Sequence, residues 1–141
     1  MLYDAAESPG DRSPAALREA YFAEIAAVVA ELGVDTVVGG TGLDRATVAA
    51  IDAGETPELT VEEAAEILAL KDGAPSPEDI AWEARDHLLM GMTTAVVDVD
   101  TVAIETETDL DAKEIQQAIE GRLPTTLAQF AAIQAFIDGR R

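Results

Sequence analysis

The chain contains no cysteine, which excludes disulfides and every cysteine-based metal site. Its single histidine, His87, cannot form a histidine cluster around a metal. Aromatic residues make up only 4% of the sequence, so alanine and valine must do much of the packing. Cations are scarce as well: nine Lys and Arg stand against 28 Asp and Glu, and the only lysines are Lys71 and Lys113. No apolar run approaches the roughly 20 residues needed to cross a bilayer, and no basic-then-apolar leader opens the chain. The expected location is the cytoplasm, with no membrane partner.

What is present is an acidic but core-competent chain. Hydrophobic residues reach 48% in 141 residues, while the net charge is −19 and the pI about 4.1. The acidity is not a tail. Residues 1–75 carry 4 cations and 15 carboxylates, and residues 76–141 carry 5 and 13. Even acidity, scarce lysine and abundant Ala, Val, Asp, Glu and Thr resemble the proteins of salt-in halophilic archaea. Self-repulsion of this size opposes compactness at low salt, and molar salt screens it within a few Å.

The sequence also repeats itself. Val34-Asp35-Thr36-Val37 returns as Val99-Asp100-Thr101-Val102. Leu43-Asp44, Gly54 and Pro57 return as Leu110-Asp111, Gly121 and Pro124, and Ala65, Ile67 and Ala69 as Ala131, Ile133 and Ala135. A repeat of this length points to one helical unit copied in tandem. The expected fold is all-α: two four-helix units packed into one compact body. Residues 1–12 read as a flexible tail, 13–72 as unit one, 73–75 as a linker and 76–141 as the divergent second copy.

Start and stop signals recur in both copies. Ser13-Pro14 and Ser76-Pro77 each place a capping hydroxyl before a first-turn proline. Leu17, Tyr21, Ile25, Val28 and Leu32 form the apolar stripe of the first long helix, and Ile80, Ala84, His87, Leu88, Met92 and Val96 that of the second. Asp35 and Asp100 read as caps of short helices, and Asp44 and Asp111 as caps of the next pair. Gly54 and Gly121 are stops. Thr60–Glu63 and Thr126–Gln129 are capping boxes opening the last helices. Residues 95–99 are β-branched but lie in helical register, and no strand is expected.

The run Thr41-Gly-Leu-Asp-Arg-Ala-Thr-Val-Ala-Ala-Ile-Asp-Ala-Gly54, with Val48 and Ile51 inward and a capped helix beyond Pro57, resembles the phage-repressor/Cro-like helix-turn-helix family. The resemblance covers roughly residues 15–70 and, more weakly, 78–137. The chain also resembles a small haloarchaeal family of unknown function, through Asp86-His-Leu-Leu-Met-Gly-Met-Thr-Thr94 and Ala112-Lys-Glu-Ile-Gln-Gln117; that likeness implies no activity. The helix-turn-helix resemblance implies that helix 44–53 faces the major groove of double-stranded DNA. Arg45 and Thr47 would then contact bases or phosphates, and in unit two Lys113, Gln116, Gln117 and Arg122 would do so. Unit one keeps the turn glycine, Gly42, but its helix is alanine-rich. Unit two has the better readers, yet carries Asp109 at that position, two extra turn residues and three carboxylates beside the helix.

Two functions follow. One is DNA binding in transcription regulation. The other is a degenerate helix-turn-helix scaffold for protein contacts, since nine cations offer little phosphate neutralisation. Trp82, Leu89, Met90 and Met92 place apolar groups on more than one side of their helix. They mark either the junction between the units, the preferred reading, or a homodimer seam. Catalysis is not expected. Gly39-Gly40-Thr41-Gly42 lacks the Lys-Ser/Thr of a P-loop, and the Glu62, Glu63, Glu66 group reads as a solvated face. His87 reads as a packed, hydrogen-bonded histidine without an assignable catalytic partner. No cofactor is expected.

Overall fold

The computed structural model describes residues 1–140. Among them are a 3₁₀ turn at Pro9–Asp11 and eight helices: α1 Pro14–Leu32, α2 Val34–Gly40, α3 Arg45–Asp52, α4 Val61–Leu68, α5 Pro77–Ala95, α6 Val99–Glu105, α7 Ala112–Ile119 and α8 Leu127–Arg140. The all-α expectation holds. No single described helix is long and apolar enough to cross a membrane.

The helices correspond in pairs. α1 and α5 each have 19 residues, α2 and α6 have 7, and α3 and α7 have 8. Equivalent positions are buried: Val37 and Val102, Val48 and Ile115, Ile51 and Ala118, Leu43 and Leu110. Capping chemistry explains the starts. The Ser13 and Ser76 hydroxyls accept from Ala16 N and Asp79 N, and reciprocal boxes open α4 (Thr60, Glu63) and α7 (Asp111, Glu114). Thr126 and Gln129 make the same two bonds before α8. Gly54 and Gly121 adopt φ of +87° and +77°. Beyond each, the next amide bonds back across the helix end, Glu55 N to Ala50 O and Arg122 N to Gln117 O, closing the final carbonyls as a left-handed C-cap does.

One continuous core serves both halves. α4 packs on α1 of its own half and on α5 of the other, and α8 likewise on α5 and α1. The halves meet at a short antiparallel bridge between Thr60 and Thr126. There Val61 N donates to Thr125 O and Leu127 N to Leu59 O, both at 2.8 Å. Exchanging the halves converts one bond into the other, so a local two-fold relates them at this point.

Several expectations are corrected. Residues 1–12 are packed rather than a free tail. Leu2 is wholly buried, its amide donates to Glu24 Oε1, and the Tyr3 ring stacks on His87 at 4.6 Å. The caps of the short helices lie earlier than Asp35 and Asp100: Asp98 caps α6 through Thr101 N, and Gly33 precedes α2 without a side-chain bond. The 95–99 stretch is not continuous helix, because Val96 turns left-handed (φ +56°) and is 89% exposed. Nor does the α2–α3 turn depend on left-handed glycine, for Gly42 is not among the positive-φ residues. Thr41 Oγ1 instead accepts from Leu43 N in unit one, and Thr108 Oγ1 from Leu110 N in unit two. Asp109 and the longer turn therefore leave α7 anchored as α3 is.

Candidate functional site

The predicted reading residues lie on α3, on α7 and just past α7, and four of the six are exposed. On α3, Arg45 is exposed and held by Asp35 at 2.6 Å, and Thr47 is half-buried. Past α7, Arg122 lies against Glu120 at 2.7 Å. The two groups shift together: the Arg122 hydrogen bond holds the Glu120 carboxyl below its ordinary value, and the same bond raises the guanidinium. Lys113 and Gln116 are exposed and Gln117 is half-buried. Asp109 accepts from Gln129 at 3.0 Å. α3 packs on α1 and α2, whereas α7 packs on α5 and α6. The two arginines thus spend their charge on neighbouring carboxylates.

The apolar group on α5 divides differently from the expectation. Met92 is 8% exposed and belongs to the core. Trp82, Leu89 and Met90 are 64%, 51% and 56% exposed, so they do not form the junction between the units. The junction is instead α1, α4, α5 and α8, contributed by Ile80, Ala84 and Leu88 on the opposite side of α5.

Trp82 and Leu89 line an open groove of about 730 Å³. Glu62 and Glu66 of α4 form one bank. Glu78, Trp82, Arg85 and Leu89 form the other, and Ile119–Gly121 at the end of α7 close it. Positions 78, 82, 85 and 89 recur at helical spacing and share one face of α5. At the floor Arg85 pairs with Glu62, with 16% and 44% of the two side chains exposed. Arg85 Nε and Glu62 Oε2 are buried and have no partner within the described protein. Burial lowers the Arg85 pKa, but a guanidinium stays charged at any physiological pH. Gly121 lies beside it on a backbone of φ +77°, a conformation that favours glycine.

Nothing in the local sequence pattern marks Arg85, and Glu62 stands in a carboxylate group that reads as a solvated face, whereas the fold pairs the two. The repeat holds the missing signal. Aligning Pro14 with Pro77 sets Phe22 against Arg85, Arg18 against Ala81 and Glu19 against Trp82. An apolar residue in one half thus stands at the position of a charged one in the other, so the two surfaces differ here.

A second polar cluster lies where the N-terminal segment meets α1, α5 and α8. Buried Tyr21 donates to Gln134 Oε1, and Gln134 Nε2 donates to Tyr3 O at 2.8 Å and Asp138 Oδ2 at 3.0 Å. Asp138 also faces His87 Nε2 at 3.0 Å. Burial, followed by the Asp138 charge, pushes the Tyr21 hydroxyl far above its ordinary value. His87 is thus a packed, hydrogen-bonded histidine. The cluster buries polar groups by matching them, as an interior requires.

The matched family covers residues 17–140. The chain belongs to a family of unknown function, DUF5791. No curated protein and no solved structure matches it. The family match spans both halves and the groove, and assigns no chemistry to them.

Proposed function

We propose that this family member is a non-enzymatic protein-interaction module of a halophilic archaeon. In this reading two copies of a helix-turn-helix-like unit have become a scaffold, and the α4–α5 groove is its working surface. One observation carries it: Trp82 and Leu89 stand half or more exposed in a groove of about 730 Å³, a size typical of binding sites. Large outward apolar side chains gathered in a concavity mark contact surfaces, whereas scattered ones such as Val96 and Ile104 need no explanation. The pairing of Arg45 and Arg122 with carboxylates supports this reading over phosphate binding, which needs cations free to displace counterions.

The test is co-purification from a halophilic host in molar salt, comparing the native chain with Trp82→Asp. The expected result is a dominant partner retained by the native chain and lost by the variant. Equal recovery with both chains would contradict the reading.

A DNA-binding role in transcription regulation is the second reading, supported by exposed Lys113 and Gln116 on α7. It predicts a gel shift in multimolar KCl that Lys113→Ala with Gln117→Ala abolishes without loss of helicity. A shift unaffected by that pair would exclude this face.

A further inference from the structure

Resting on the interaction reading above, we infer that the groove receives a basic amphipathic helix of another protein. Trp82 and Leu89 meet its apolar face, and Glu66, Glu78 and Asp86 meet its cations.

The shape argument comes from α5. Its groove-facing side runs from Glu78 to Leu89, eleven residue steps or about 16 Å at the helical rise. That is about three helical turns, with Glu78, Trp82 and Leu89 exposed along them. The two apolar contacts, Trp82 and Leu89, are seven positions apart and so stand two turns apart on one side. A second helix laid along this face meets them with residues of the same spacing, the way amphipathic helices bind grooves.

The charge argument selects the partner. Five carboxylates line the groove, at Glu62, Glu66, Glu78, Asp86 and Glu120, and Arg85 is the one cation among them. Arg85 is committed to Glu62 and Glu120 to Arg122. Glu66, Glu78 and Asp86 remain as a negative rim beside the exposed apolar side chains Trp82 and Leu89. The C-terminal residues of α7 add the negative end of a helix dipole. A second copy of this chain, with its net charge of −19, would bring the same acidic rim against this one. Like-charge juxtaposition disfavours that occupant, and a partner with lysines or arginines beside its apolar face satisfies both features.

Trp82 is the chain's only tryptophan, so its emission reports the groove directly. The probes are three synthetic peptides of about 15 residues, roughly four helical turns. One has leucine and phenylalanine anchors with lysine flanks, one has the same anchors with glutamate flanks, and one is lysine-rich without anchors. Binding to the full chain is read by Trp82 emission and by the anisotropy of labelled peptide, at the lowest salt where circular dichroism shows the native helix content.

The lysine-flanked amphipathic peptide is expected to bind and shift Trp82 emission to the blue, with the other two about tenfold weaker or worse. Leu89→Asp is expected to weaken it by about tenfold or more, and Glu78→Lys with Asp86→Lys to turn the preference toward glutamate flanks. Circular dichroism of each variant separates lost binding from lost folding.

Equal binding of both amphipathic peptides would overturn the basic partner while leaving the interaction reading intact. No binding by either, or binding indifferent to Leu89→Asp, would overturn the inference, and the co-purification result would still judge the wider reading. Two further outcomes also overturn it: an emission shift reproduced by tetramethylammonium alone, which marks a small-cation site, and a dimer abolished by Leu89→Asp, which marks a second copy.

Discussion

The two ends of this molecule are built from corresponding helices, α1 with α8 and α5 with α4, yet one is closed over and the other open. At the sealed end, Arg18, Phe22 and Ala128 line a hollow of about 70 Å³. Their counterparts at the open end are Ala81, Arg85 and Glu62, which line the groove of about 730 Å³. Phe22 is 4% exposed. Arg18 covers its ring at 5.5 Å and donates to Thr56 O at 2.9 Å, holding the cover in place. The open end has Ala81 where that cover would be, and an ion pair where the ring and Ala128 sit. A Phe-Ala floor can be closed over, because it carries no polar atom that needs a partner. A half-buried Arg-Glu floor resists closure, since further desolvation costs more than the pair returns. At matched positions, then, one half is closed over an apolar floor and the other is open over an ion pair.

The largest predicted effect is on the sealed side. Phe22→Ala should lower stability by about 3–5 kcal/mol in denaturant melts at fixed salt, the usual cost of emptying a buried aromatic site. Its counterpart Arg85→Phe, made together with Glu62→Ala so that no carboxylate loses its cation, should change stability little, and a loss as large as that of Phe22→Ala would erase the distinction between the ends. Next, Tyr21→Phe leaves Gln134 Oε1 without its buried donor and should cost about 1–3 kcal/mol by the same melt. Ala84 takes the Tyr21 position in the other half, so the polar cluster exists once. Disrupting it should release the N-terminal segment, seen as faster amide exchange at Leu2.

Smaller effects probe where the halves still agree. Thr60→Ala and Thr126→Ala each remove one capping box and should each cost about 1 kcal/mol. Markedly unequal losses would show that the central bridge is less symmetric than its paired 2.8 Å bonds imply. The smallest effect is acid-dependent. Bonds from Thr101 hold the Asp98 carboxyl below its ordinary value. Its contribution is therefore present above the unfolded pKa and fades as pH falls through the folded one. Acid titration should show Asp98→Ala less stable than the native chain at neutral pH and converging on it in strong acid. Gly33 stands at the equivalent place and has no side chain to titrate.

Much of this architecture was legible in the residues. Ser13-Pro14, Ser76-Pro77, Thr60–Glu63 and Thr126–Gln129 announce helix starts because their side chains satisfy specific backbone amides, a local effect that needs no tertiary knowledge. Gly54 and Gly121 announce ends for the same reason. Choices between neighbouring candidates were less legible. Asp98 and Asp100 are equally good caps in isolation, and the left-handed turn at Val96 decides between them. The sides of α5 cannot be told apart in sequence because Trp82, Leu88, Leu89, Met90 and Met92 are all apolar, and only packing against α4 and α8 shows which ones face inward. Leu2 and Tyr3 were missed because no periodicity can be read from so short a segment. The groove itself is a property of two helices and the end of a third, and only the Phe22–Arg85 mismatch between the copies pointed toward it.

The most direct test transplants the sealed end onto the open one. Glu62→Ala, Ala81→Arg and Arg85→Phe together recreate the Arg18–Phe22–Ala128 arrangement beside Trp82. The measurement is anisotropy of the labelled lysine-flanked amphipathic peptide, with a parallel denaturant melt. The predicted result is a chain at least as stable as the native one that binds the peptide about tenfold more weakly or worse. A stable triple variant that binds as tightly as the native chain would contradict the claim that the open groove is the working surface.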